Sequence, residues 1–150
     1  MSFEYLNDAE KTAASRHHTG WMTVGDIGYL DDEGYLYLTD RRHHMIISGG
    51  VNIYPQEAEN MLVTHPKVMD AAVFGIPDDE MGQSVKGVVQ TVDAADATAE
   101  FADELLVWLR GHLTHYKCPR SISFEAQLPR TDTGKLYTPD LTSCLEGITR

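Results

Sequence analysis

The sequence predicts an α+β fold, a small mixed β-sheet flanked by helices and preceded by a β-hairpin. Three observations carry this. Residues 68–76 and 85–92 are apolar, β-branched runs that read as strands. Residues 56–64 and 98–113 repeat apolar side chains at helical spacing. The order β-β, then β-α-β-β-α-β, places helices on a small sheet.

Each element has its own signal. Residues 1–20 are polar, and 8–16 form a short helix capped by Asn7 or Asp8, with acids in the first turn. His17, His18, Thr19 and Gly20 end it. Residues 21–40 form a hairpin about the turn Asp31-Asp32-Glu33-Gly34. Arg41-Arg42-His43-His44 leads into a strand, Met45-Ile46-Ile47, and Ser48-Gly49-Gly50 forces a turn. Pro55 opens a helix with Ala58, Met61 and Leu62 on one face, and Pro66 stops it. Residues 77–82 read as a loop between two strands. Thr98 caps a second helix carrying Ala102, Leu105, Leu106, Leu109 and Leu113, which residues 116–119 end. Residues 122–124 are a last strand, and 128–137 a loop rich in Pro, Thr, Asp and Gly with one lysine. There is no internal repeat. The composition breaks near residues 40–44, dividing the chain into 1–42 and a body, 43–150, large enough to fold alone.

Composition narrows the functional classes. The 150 residues hold 12 Lys and Arg against 23 Asp and Glu, a formal charge of −11. That excludes a nucleic-acid or anionic-membrane surface working by bulk charge. A phosphate ligand must then be held by a few placed cations and amides. Cys118 and Cys144 are too few for a disulfide framework and lack metal-site spacing. No apolar run opens the chain, and none reaches the ~20 residues of a transmembrane helix. The expectation is a soluble cytoplasmic protein.

Three segments could carry chemistry. Asp26, beside Gly25, suits a vicinal diol such as a ribose through two charge-assisted hydrogen bonds, or it caps a turn. Residues 41–52 contain glycines that permit positive φ, close approach of a ligand, or amides that meet an anion as a nest. The other reading is a plain helix-entry turn. Lys135, on Pro129-Arg130-Thr131-Asp132-Thr133-Gly134-Lys135, could stabilise charge developing on a carboxylate or phosphate, or be an ordinary surface lysine. The P-loop spacing is absent. His17-His18 and His43-His44 are adjacent pairs whose side chains diverge on a strand, so no metal site is expected. The Tyr and Trp residues lie mainly in apolar runs and read as core or strand packing.

Taken in order, these segments resemble the C-terminal end of an adenylate-forming enzyme, and among those the acyl-CoA synthetases that act on fatty or aryl acids. Trp21-Met-Thr-Val-Gly-Asp-Ile-Gly28 resembles the family's Thr-Gly-Asp segment, with Val24 inserted. Tyr35-Leu-Tyr-Leu-Thr-Asp-Arg41 is similar to the strand entering the hinge, and Met45-Ile-Ile-Ser-Gly-Gly-Val-Asn-Ile-Tyr-Pro-Gln-Glu-Ala-Glu59 to the segment after it. Tyr116-Lys-Cys-Pro119 and Leu128-Pro-Arg-Thr-Asp-Thr-Gly-Lys135 resemble the last two motifs. The likeness spans roughly residues 20–141.

The resemblance implies a C-terminal lid domain, 43–150, preceded by the hairpin tail of a large N-terminal domain. It implies a two-step ligase using ATP, Mg²⁺ and CoA on a carboxylic acid. Asp26 and Arg41 would contact the nucleotide ribose, and Lys135 would serve adenylation. His43 would be the hinge, and Gly49, Gly50 and Asn52 would line the CoA tunnel. Lys117 joins Arg41 and Lys135 as cations expected to face the nucleotide. Three departures stand out. The hinge position, usually Asp or Lys, is His43. The arginine common three residues past the lysine is Thr138. The ATP phosphate loop, the adenine-binding strand and the acid pocket are missing, so the chain alone is expected to be inactive. Two other readings are a free-standing regulatory module and an adenylation domain that loads a carrier protein.

Overall fold

The computed structural model describes residues 4–41 and 44–130. The expected roles of His43, Lys135 and Thr138 therefore fall outside the described residues. The chain divides into two compact units, Met1–His43 and His44–Arg150.

The first unit holds α1 (Ala9–Ala14), β1 (Asp26–Leu30) and β2 (Leu36–Arg41). Asp8 caps α1 as expected, its carboxylate accepting the Lys11 amide at 2.9 Å. β1 and β2 pair antiparallel. The Asp31 carboxylate closes the turn between them, accepting the amides of Glu33 and Tyr35 at 3.0 and 2.9 Å. Those amides, Tyr35's foremost, hold its carboxyl below the ordinary value. Of the two placements expected for the aromatics, core or strand packing, the hairpin shows the second. The hairpin aromatics are not core residues: Trp21, Tyr29, Tyr35 and Tyr37 are exposed, as are Leu36 and Leu38. Tyr29 and Tyr37 stack on each other across the strands, 5.2 Å between centroids. A two-stranded ribbon has no second layer to bury them.

The second unit runs β3 (Ile46–Ser48), β4 (Val51–Ile53), α2 (Pro55–Leu62), β5 (Val68–Asp78), β6 (Gly82–Thr91), α3 (Ala99–His112) and β7 (Ser121–Phe124). The expected mixed sheet is present in the order β5-β6-β7. β5 and β6 are antiparallel, and α3 crosses over so that β7 lies parallel to β6. Pro55 stands in the first turn of α2, and the Thr98 hydroxyl accepts the Phe101 amide at 3.2 Å to start α3. Three local expectations are corrected. Val51–Ile53 is a strand, β4, rather than part of a helix entry. The loop at 77–82 shrinks to a tight turn, because β5 continues to Asp78 and β6 begins at Gly82. α3 ends at His112, and His115–Lys117 is a separate 3-10 turn.

Side chains alternate across β5 and β6, so the sheet has two apolar faces. On one, Ala71, Val73, Val85, Val89 and Ile122 pack under the buried stripes of α2 (Ala58, Leu62) and α3 (Phe101, Leu105, Leu109). On the other, Ala72, Phe74 and Val88 close against Leu128. Each large side chain so buried contributes about 1.5–3 kcal/mol. The segment after β7 is thereby tied to the sheet by Leu128.

Candidate functional site

The glycine pair is the tip of the β3–β4 hairpin. Gly49 and Gly50 have φ of +56° and +78°, the consecutive left-handed residues of a two-residue turn. Ile46 and Ile53 face each other and are buried, which anchors the hairpin base. Ile47 and Asn52 are the next cross-strand pair and both are exposed.

The hairpin is stitched to the β5–β6 turn. The Gly49 amide donates to the Met81 carbonyl at 2.9 Å, and the Ile47 amide donates to Gln83 Oε1 at 2.8 Å. The Gly49 amide is thus committed within the protein. Gly50 differs: a Cβ there would meet nothing within 4 Å. Its backbone is open to a ligand.

The turn beneath is held by Asp78, whose carboxylate accepts the amides of Met81 and Glu80 at 2.9 and 3.1 Å. These two bonds lower its carboxyl pKa, with Arg120 adding a smaller pull. A depressed carboxylate stabilises the fold above its unfolded pKa, near 3.9, and loses that contribution as pH falls through the folded value. Asp78→Ala should therefore be less stable than the native protein at pH 7. The gap should persist at pH 5 and close at the acid end, as read by urea unfolding at each pH.

Asp26 and Arg41 are brought together by register. They are direct partners across the β1–β2 pair. A bulge between Ile27 and Gly28 shifts the pairing by one residue. Without it, Asp40 would stand opposite Asp26, placing like charges face to face.

Lys117, expected among the cations that meet the nucleotide, is ion-paired within the domain. Its ammonium donates to both carboxylate oxygens of Glu57, at 2.9 and 2.6 Å. That carboxylate raises the lysine's pKa and fastens the 3-10 turn to the first turn of α2. Tyr116 beside it is exposed, and burial pushes the Cys118 thiol up.

Three residues were missed from sequence. Asp70, on β5, takes a two-pronged ion pair from Arg130, with both bonds at 2.6 Å. Glu59 Oε1 accepts the Val73 amide next to it, at 2.8 Å. Asp70 is the one charge in the run 68–76, and that was the available signal. Among the described residues no three His, Cys, Asp or Glu side chains gather to hold a metal. Mg²⁺ fits no donor set there, and no step is assigned to it. No helix among them is long and apolar enough to cross a membrane.

The family model for the AMP-binding enzyme C-terminal domain matches residues 57–135, more than half of the chain. The chain belongs to that family. It is 41% identical over 132 residues to a long-chain-fatty-acid–CoA ligase of Bacillus subtilis, a stretch covering 88% of this chain and 23% of that enzyme. It is 46% identical over 117 residues to a feruloyl-CoA synthase of an Amycolatopsis species, covering 78% of this chain and 23% of the relative. The fold superposes on ATP-bound MatB of Rhodopseudomonas palustris with a TM-score of 0.82 at 30% identity, covering 97% of this chain and 28% of that one. The chain therefore spans about a quarter of the length of the relatives it matches.

Proposed function

We propose that this C-terminal domain is the mobile lid of an ATP-dependent carboxylic acid–CoA ligase, with residues 1–42 the tail of its large N-terminal domain. The carrying observation is the stretch it shares with CoA ligases, which contains the Gly-Asp, hinge-strand, Gly-Gly and Tyr-Lys-Cys-Pro segments in one order. The exposed apolar hairpin supports the second half of the reading. Tyr29, Tyr35, Leu36 and Leu38 are a surface that the rest of a large domain would cover.

In the first step the acid's carboxylate attacks the α-phosphorus of ATP, and pyrophosphate leaves. In the second the CoA thiol attacks the acyl carbon, loses its proton, and AMP leaves. Asp26 and Arg41, paired at the open end of the hairpin, would hold the ribose hydroxyls. Lys135 would draw the carboxylate and α-phosphate together against their mutual repulsion. Hinged at His43, the lid would then turn to present Gly50 and Asn52 to the pantetheine arm of CoA. Gly49 serves this by shaping the tip, since its amide is spent on Met81. The reaction would run where ATP and CoA meet, in this reading the cytoplasm. Mg²⁺ would accompany ATP in the large domain.

An acid-dependent ATP–pyrophosphate exchange panel on the full-length ligase tests this, with CoA as acceptor. Exchange with at least one fatty or aryl acid, followed by acyl-CoA release, is expected. The isolated chain should give no exchange with any acid. Exchange by the isolated chain would overturn the division of labour, and an acceptor other than CoA would move the protein to the carrier-loading class.

A further inference from the structure

We propose that Gln83 is a positioning residue for thioester formation: its side-chain amide fastens the edge of β3 and so holds the Gly50–Asn52 side of the glycine tip where CoA would meet it. The inference rests on the reading of that tip as the CoA-facing surface.

The tip hairpin is tied to the β5–β6 turn at two points along one edge. In an antiparallel pair every second amide of a strand points away from its partner. Ile47 and Gly49, two residues apart, send theirs to Gln83 Oε1 at 2.8 Å and to the Met81 carbonyl at 2.9 Å. The Gly49 bond joins backbone groups and needs no particular side chain. The Ile47 bond needs Gln83, 36 residues away. The place of that side chain is built into the sheet. Gln83 stands on β6 opposite Pro77, and its amide lies across Gly75 on β5. A Cβ at Gly75 would come within 2.9 Å of Gln83 Nε2 and 3.1 Å of Ile46 Cγ2. The missing side chain at Gly75 is what admits the amide beside the buried Ile46.

The bond acts at the level of the ribbon that matters for CoA. Ile47 is the direct cross-strand partner of Asn52. One step below, Ile46 and Ile53 are buried and fix the base. Ile47 and Asn52 are themselves exposed, so packing holds their level less firmly than the base. A hydrogen bond from a fixed strand supplies what packing does not. With the Gln83 acceptor gone, the ribbon keeps its base and the single bond at Gly49, and it can twist about the line between them. Misplacement of about 1 Å costs on the order of a hundredfold where groups must be aligned. The groups assigned to adenylation, Asp26, Arg41 and Lys135, lie outside residues 46–53. The first step therefore has no reason to feel the change.

The test uses the full-length ligase and measures each half-reaction separately. Gln83→Leu keeps the bulk and removes the acceptor. It should lower the kcat of thioester formation from supplied acyl-adenylate roughly tenfold, a partial form of that misplacement. KM for CoA should stay within about twofold, as should acid-dependent pyrophosphate exchange. Gln83→Glu keeps a side-chain acceptor at the same reach and should recover most of the native rate. Gly75→Ala pushes the amide off its seat from the other side, so it should slow thioester formation to a similar degree and spare exchange. If Gln83→Leu does not fold, Gly75→Ala decides by the same criteria. Equal loss in both half-reactions, thioester formation left intact, or Gln83→Glu as slow as Gln83→Leu overturns the proposal. Gly50→Leu, run alongside, separates the two claims. If it spares thioester formation, the reading of the tip fails and the proposal with it. If it slows that step while Gln83→Leu and Gly75→Ala do not, only the role of Gln83 fails.

Discussion

Lys135→Ala in the full-length ligase should cut acid-dependent ATP–pyrophosphate exchange by roughly 10²–10³-fold, the usual scale for removing one preorganised electrostatic group. Thioester formation from a supplied acyl-adenylate should stay near the native rate. The reasoning is electrostatic. Adenylation presses a carboxylate against a triphosphate, two anions that repel. A cation between them is worth most in the transition state, where negative charge gathers on the bridging oxygens. Once the acyl-adenylate exists, that repulsion has been relieved and the lysine has nothing left to neutralise. Lys135→Arg should recover only part of the loss, because a broad fork does not replace a compact ammonium at a single point. Rapid-quench measurement of each half-reaction checks this, and equal loss in both would remove Lys135 from its assigned role.

The elements that were legible had a local cause. Asp8 and Thr98 cap helices because a side-chain oxygen reaches an amide three residues on, and sequence alone displays that spacing. Pro55 marks a helix start for the same kind of reason. β4 was not legible: three residues between Gly50 and Tyr54 are too short to show alternation, and its pairing depends on a turn geometry set by two positive φ values. Of the site, the glycine tip and Asp26 were recognisable, but their partners were not. Glu57 meets Lys117 and Asp70 meets Arg130 across 60 residues each. Nothing in either neighbourhood encodes which distant charge the fold will bring. The facing of Asp26 and Arg41 turns on one bulged residue, and counting back from the hairpin turn would have selected Asp40 instead.

The mirror image of the Lys135 result should appear at Gly50. Gly50→Leu should slow thioester formation about 10²-fold, the scale of a misplaced reactant, while leaving pyrophosphate exchange near the native rate. A Cβ at this position would meet no protein atom within 4 Å, so a side chain here starts out into open space. The backbone there, at φ +78°, adds strain of about 1–2 kcal/mol. That strain needs separating from the obstruction. Gly34, at the tip of the other hairpin, has φ +87° and equally open surroundings. Gly34→Leu should therefore cost similar stability and leave thioester formation alone. If both leucines slow the second step alike, strain rather than obstruction is responsible, and the tip is not a CoA-facing surface. If only Gly50→Leu does, while only Lys135→Ala blocks the first step, then two parts of one small domain act in turn. That pattern is the one expected of a domain that turns between the half-reactions, each part meeting the reaction centre in its own step.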